Sequence, residues 1–292
     1  MAEPLEERPG PILVKLGGSL ITDKARRESV RSDVLARIAG ELAACRASWS
    51  GRGLIVGHGS GSYGHFAAAG TPLAATTLVR ADTDPGPLRT AVARTQDAAA
   101  RLHRLVVAAL LEAGLAPYSL APSGWITTRG RELASLHLEP LEGALALGMI
   151  PVVHGDVAVD RDAGMAIVST ERVFEVLARG LSVRGLRPAW AVWLGETDGI
   201  LGAGGERIAQ VSAANLESAR GRTGGSDGVD VTGGMRLRLE TAWELACAGV
   251  ASWIGDGRQP GVLAAALRGE PPGGTLVERR EPVQGIESSG SP

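Results

Sequence analysis

Pro11-Ile12-Leu13-Val14-Lys15-Leu16-Gly17-Gly18-Ser19-Leu20-Ile21-Thr22-Asp23-Lys24 is the stretch from which the fold can be read. Ile12 to Leu16 is an apolar, β-branched run of strand length that ends directly in two glycines and a serine. In open α/β sheets, ligands sit outside the carboxyl ends of strands, so such a junction is a candidate site. The same stretch holds both lysines of the chain, Lys15 and Lys24, whereas the other twenty-eight basic residues are arginine. An ammonium on a flexible stem does what a planar guanidinium cannot, and gripping a phosphate is the task that suits it. Gly17, Gly18 and Ser19 let backbone N–H groups approach a polyphosphate closely. The Gly-Lys pair of a Walker A loop is absent, which argues against the P-loop class.

Working outward, further strands are expected at Leu54 to Val56, Ala116 to Leu120, Ile150 to Val153, Ala189 to Leu194 and Ala251 to Ile254. Helical spacing of apolar residues covers Asp33 to Ala44, Leu88 to Ala113, Leu138 to Leu147, Thr170 to Leu181 and Gly233 to Ala248. Strands alternating with helices predict an α/β fold, a three-layer αβα sandwich around a mainly parallel sheet. Two other strands also end in small residues, Val56-Gly57-His58-Gly59-Ser60-Gly61 and Val153-His154-Gly155-Asp156, so three junctions should converge. Gly221 to Gly228 reads as a mobile loop and 281–292 as a disordered tail. The expected division is an N-terminal lobe over 1–188 and a C-terminal lobe over 189–280.

The 292 residues carry a net charge of −2 with a pI near 6.2, which gives no electrostatic case for nucleic acid or an anionic membrane. A small-molecule partner is expected. Cys45 and Cys247 are too few for a disulfide framework or a zinc site and are read as core thiols of a reducing compartment. The N-terminal residues lack a signal-peptide pattern and no run of eighteen apolar residues occurs, so a soluble, cytoplasmic protein is expected.

Gly59-Ser60-Gly61-Ser62-Tyr63-Gly64 matches Gly-x-Gly-x-x-Gly, but Asp82 and Asp84 lie in an irregular segment instead of closing a strand as a ribose partner, which weakens a dinucleotide reading. His65 stands where a helix should begin and would point into the cleft, able to donate to an anion. His103 and His137 read as structural. His58 and His154 each precede a glycine at a strand end, where a side chain could simply orient its loop. Glu196-Thr197-Asp198-Gly199 follows a strand, and Asp230-Val231-Thr232-Gly233-Gly234-Met235 precedes a helix whose open N–H groups suit an anion.

In family order, Lys15-Leu-Gly-Gly-Ser19 with Lys24, His58-Gly-Ser-Gly-Ser-Tyr-Gly-His65, Pro151-Val-Val-His-Gly-Asp156, Thr197-Asp-Gly-Ile200 and Asp230-Val-Thr-Gly-Gly-Met235 resemble the amino acid kinase superfamily. The histidine after the second glycine loop resembles its isopentenyl phosphate kinase branch. The resemblance implies transfer of the γ-phosphoryl group of ATP, with Mg²⁺, to isopentenyl phosphate, in a homodimer joined through the N-terminal lobe. It implies catalytic roles for Lys15, Lys24 and His65. Nucleotide contacts are implied at Lys15, Gly17, Gly18, Ser19, Gly61, Glu196, Asp198, Gly234 and Arg238, and acceptor contacts at Ser60, His65 and Thr170. No protein ligand for the metal is implied.

Three departures stand out. Ser169-Thr170-Glu171-Arg172 replaces the common Ser-Gly-Asp-Asp, Glu196-Thr-Asp-Gly199 replaces Thr-Asp-x-Asp-Gly, and Arg236 and Arg238 replace lysines. A fosfomycin kinase shares the architecture and the Gly-His loop, and differs in needing a small polar pocket where an isoprenoid needs an apolar one. A catalytically silent nucleotide-binding sensor is the reading from a different class.

Overall fold

The computed structural model describes residues 10–74, 85–202, 205–222 and 234–280. The chain opens with β1 (Ile12–Leu16), α1 (Gly18–Ile21), α2 (Ser32–Ala44), β2 (Leu54–His58), α3 (Gly61–Ala68), α4 (Pro85–Glu112) and β3 (Pro117–Ser119). Next come β4 (Ile126–Arg129), β5 (Glu132–Leu136), α5 (Glu139–Ala146), β6 (Ile150–His154), β7 (Asp156–Asp160), β8 (Gly164–Val168) and α6 (Thr170–Val183). It closes with β9 (Trp190–Gly195), β10 (Ile200–Leu201), β11 (Arg207–Ile208), β12 (Gln210–Val211), α7 (Leu216–Arg222), α8 (Gly234–Cys247), β13 (Ser252–Asp256), α9 (Val262–Leu267) and β14 (Thr275–Val277).

Eight strands form one sheet in the order β12-β14-β13-β9-β1-β2-β6-β3. Neighbours run parallel except β13 and β14. A parallel sheet must be covered on both faces, and period-2 alternation along β1 shows how. Ile12, Val14 and Leu16 pack with α2, α4 and α9 residues such as Leu35, Leu102 and Leu263, whereas Leu13 packs on the other face with α6 and α8 through residues such as Phe174 and Leu239. These are the three layers expected. Strands from residues after 188 fill one half of the sheet and earlier strands the other, meeting where β9 pairs with β1.

Each predicted strand and helix forms, with ends shifted by a few residues. The additions are α1 and α3 after the two glycine turns, a four-stranded layer β5-β4-β7-β8, and in the C-terminal half the short elements β10, β11, β12, α7, α9 and β14. Two expectations are corrected. Cys247 is exposed and is no core thiol, whereas Cys45 is half-buried and packs against the edge of the core; Cys247 ends α8 beside the Arg280 guanidinium. Helix α3 begins at Gly61, so His65 lies in its second turn instead of at its start. The loop read as mobile falls at 223–228 outside the described residues, as do Asp82, Asp84, Asp230 to Gly233 and the tail 281–292. Among the described residues no helix is long and apolar enough to cross a membrane.

Candidate active site

The three predicted junctions do converge, because their strands are neighbours. Leu16 pairs with His58, and His58 with His154, so β1, β2 and β6 end level with one another. The first two turns then pack backbone against backbone. A Cβ on Gly18 would stand 2.6 Å from Gly61 N, and one on Gly59 would stand 2.8 Å from Gly18 N. Gly61 also has φ +50°, with Thr22 Oγ1 2.2 Å from where its Cβ would be. Glycine at 18, 59 and 61 is therefore required by the meeting of the turns, in addition to any phosphate. Gly17 N donates to Leu194 O at 2.8 Å and Gly59 N to Leu16 O at 2.9 Å, which extends the sheet pairing into both turns. The amides of Gly18 and Ser19 open α1 and have no partner within that helix.

Lys15 shares its sheet face with Leu13, and that face is covered by α6. Ser169 caps α6 by accepting from Arg172 N at 3.2 Å, which fixes Glu171 in its first turn. Lys15 Nζ and Glu171 Oε1 form a buried ion pair there. Burial pulls the Lys15 pKa down, helped by the neighbouring cations Arg238 and Lys24 and opposed by Glu171. Burial would raise the Glu171 carboxyl, but Lys15, with help from Arg238, outweighs it and holds the pKa below the usual range. The Arg238 guanidinium crosses the floor of the same region: a Cβ on Gly195 would stand 2.6 Å from its Nη1, and one on Gly17 3.7 Å from its Nη2. Glu171 is a site residue that sequence reasoning left without a role. The available signal was a lysine in a fully apolar strand, which demands an acid on whichever helix covers that face.

On the far side of the turns lies a cavity of about 330 Å³. Ser60, His65, Thr170, Glu171 and Asp156 supply its polar lining, and Ala68, Ala69, Ala99 and Ile167 its apolar lining. His65 is exposed on α3, whereas Thr170 is buried and its hydroxyl already donates to His58 O at 2.7 Å. Asp156 accepts from Ser123 N at 3.1 Å and from Val157 N at 2.8 Å, so it is held in place at the cavity wall.

The remaining predicted residues are more dispersed. Lys24 is exposed in the turn after α1. Glu196 accepts from Arg31 Nη1 at 2.6 Å. Asp198 accepts from Gly274 N and from Arg207 Nη1, each at 2.8 Å, which ties it to the loop before β14. Gly234 opens α8, the helix that carries Arg238.

The sequence model of the amino acid kinase family matches residues 10–256. An isopentenyl phosphate kinase of Methanothermobacter thermautotrophicus is 31% identical over 276 residues, covering 91% of this chain and 98% of that protein. The isopentenyl phosphate kinase of Haloferax volcanii is 34% identical over 263 residues, covering 90% and 96%. Among solved structures, an isopentenyl phosphate kinase superposes with a TM-score of 0.77 at 26% identity, over 91% of this chain and 99% of the other.

Proposed function

This chain belongs to the amino acid kinase family, and we propose that within it the protein transfers the γ-phosphoryl group of ATP to isopentenyl phosphate, giving isopentenyl diphosphate and ADP. The observation that carries this reading is the mixed lining of the cavity, in which His65 and Ser60 suit a phosphate head and Ala68, Ala69, Ala99 and Ile167 suit a short hydrocarbon tail. The relatives named isopentenyl phosphate kinase support the same acceptor.

A phosphate monoester has a second pKa of about 6 and is already an oxyanion at pH 7, so the acceptor needs no general base. What the reaction needs is two mutually repelling anions held in line and charge neutralised on the group in flight. In this reading Gly17, whose own amide is taken by Leu194 O, lets the chain approach the ATP phosphates closely, and the amides of Gly18, Ser19 and Gly61 face them. Lys15 supplies fixed positive charge, oriented by Glu171. Lys24, exposed and long, reaches the transferring group. His65 donates to the acceptor phosphate beside Ser60 and Thr170. Glu196, Asp198, Gly234 and Arg238 lie toward the nucleotide.

Mg²⁺ would come with the nucleotide and neutralise charge on its β- and γ-phosphates. Among the described residues no group of three acidic, histidine or cysteine side chains is placed to hold a metal ion, and Mg²⁺ that arrives with a nucleotide is held mainly by phosphate and water. The lobe over 1–188 would bind the acceptor and form a homodimer, and the lobe over 189–280 would bind the nucleotide, in the cytoplasm. Coupled ADP release with Mg-ATP, run with isopentenyl phosphate and with fosfomycin and read out by phosphorus NMR, tests the assignment. Diphosphate formed from isopentenyl phosphate supports it; turnover of fosfomycin alone, or of neither, removes it.

A further inference from the structure

We infer that His103 is a positioning residue for the acceptor cavity, acting through His58 and His154 on the two turns that line it; the inference rests on the acceptor reading above. His58 and His154 are register partners on adjacent strands, each the last residue of its strand. Both lie on the sheet face covered by α4, from which His103 enters. The ring centroids of His103 stand 5.3 Å from His58 and 4.5 Å from His154, and all three side chains are buried.

The hydrogen bonds run in one order. His58 Nδ1 lies 3.1 Å from the carbonyl of Gly59, and His154 Nδ1 2.9 Å from that of Gly155. A carbonyl only accepts, so both Nδ1 atoms carry the proton. His58 Nε2 is then an acceptor when the ring is neutral. It lies 3.0 Å from His103 Nδ1, which must donate. His103 Nε2 is left to accept from the Ser119 hydroxyl, 2.7 Å away on edge strand β3. Burial first, then His103, His154 and Lys15, pushes His58 well below its usual pKa, and burial, His154 and Arg104 pull His103 down to about 3. Both rings are neutral at pH 7, as the order requires.

The relay ends on the cavity. Gly59 and Gly155 both line it. The Gly59 peptide is gripped from both sides, its N–H by Leu16 O and its carbonyl by His58. Ser60 follows at once, at the position that precedes α3, which carries His65. Rotation of the Gly59–Ser60 peptide would move both groups assigned to the acceptor phosphate directly, whereas Lys15 lies on another strand and the first turn is touched only through its backbone contact with Gly59, so the acceptor should be affected more than ATP.

His103→Leu removes both bonds, whereas His103→Asn keeps a nitrogen donor near the Nδ1 position. His103→Leu is expected to raise the acceptor KM about tenfold, the size of one lost hydrogen bond, with the KM for ATP unchanged and with partial rescue by His103→Asn. Equal changes in both KM values, or no change in either, would overturn the inference. The full-length wild-type protein supplies a readout that needs neither substrate nor a folded variant. Side-chain ¹H–¹⁵N NMR at pH 7 is expected to show His58 and His103 as neutral Nδ1–H tautomers, and His154 with its Nδ1 carrying a proton. An Nε2–H tautomer or an imidazolium at His58 or His103, or a bare Nδ1 at His154, ends the relay, whatever the acceptor proves to be.

Discussion

Lys15, in the central strand, and Glu171, in the first turn of the helix above it, form a largely buried ion pair whose acid also lines the cavity. Removing one partner strands a buried charge, which typically costs about 3–5 kcal/mol. Glu171→Gln is therefore expected to lower stability by that order in urea denaturation and to abolish most turnover. Replacing both partners by apolar residues, Lys15→Met with Glu171→Leu, should restore much of the stability while turnover stays lost. A double variant no more stable than Glu171→Gln would show that the two groups are not energetically coupled.

The contact between the two glycine turns gives a second prediction, with an internal control. Gly18→Ala drives a methyl into the backbone of Gly61, and Gly61→Ala drives one into Thr22 at a positive φ. Each should cost at least about 2 kcal/mol and most of the activity. Gly40, exposed in α2, has nothing within 4 Å of its would-be Cβ. Gly40→Ala should stabilise by about 0.5–1 kcal/mol, since the helix gains propensity and the unfolded chain loses freedom. Thermal melts of the three variants separate backbone collision from glycine replacement in general.

Asp160, at the end of β7, is a buried carboxylate that accepts from Thr128 Oγ1 and from the amides of Gly130, Arg131, Asp162 and Ala163. Burial alone would raise its pKa, but these bonds, led by that of Arg131, hold it well below the carboxylate range. A depressed folded-state pKa contributes stability above the unfolded value of about 3.9 and loses it as pH falls toward the folded value. Denaturation midpoints from pH 6 to pH 3 should therefore fall more steeply for the wild type than for Asp160→Asn. Parallel curves would mean that the carboxylate's charge contributes nothing to holding the β4–β7 layer.

The sheet and its helices were legible because strand and helix periods are local, and β1, β2 and β6 each pair a short apolar run with an abrupt glycine turn. That the turns would meet followed from ligand placement in parallel sheets. Glu171 was not legible as a partner of Lys15, since 156 residues separate them and only the stacking of α6 over β1 brings them together. The same holds for Arg31 with Glu196 and for His103 with His58, where the periodicity of α4 gives a face but not what the face meets. The β4, β5, β7 and β8 layer escaped because β4, β5 and β7, though about as long as β1, carry polar residues such as Thr127, Glu132 and Asp156 in place of a continuous apolar run, and the order of the layer mixes sequence neighbours with distant pairs.

Lys24 and His65 share a property that separates their chemistry from the fold: both are exposed. Substitution of either by alanine should leave the urea midpoint within about 0.5 kcal/mol of wild type. Their kinetic effects should differ. If Lys24 meets the phosphoryl group only in flight, Lys24→Ala lowers kcat by about 10²-fold with little change in either KM. If His65 holds the acceptor phosphate before and during transfer, His65→Ala raises the acceptor KM by about tenfold or more and leaves the KM for ATP alone. Steady-state kinetics on the two variants, varying each substrate in turn, distinguishes these roles. Wild-type constants in both would move the reacting groups to another part of the cleft.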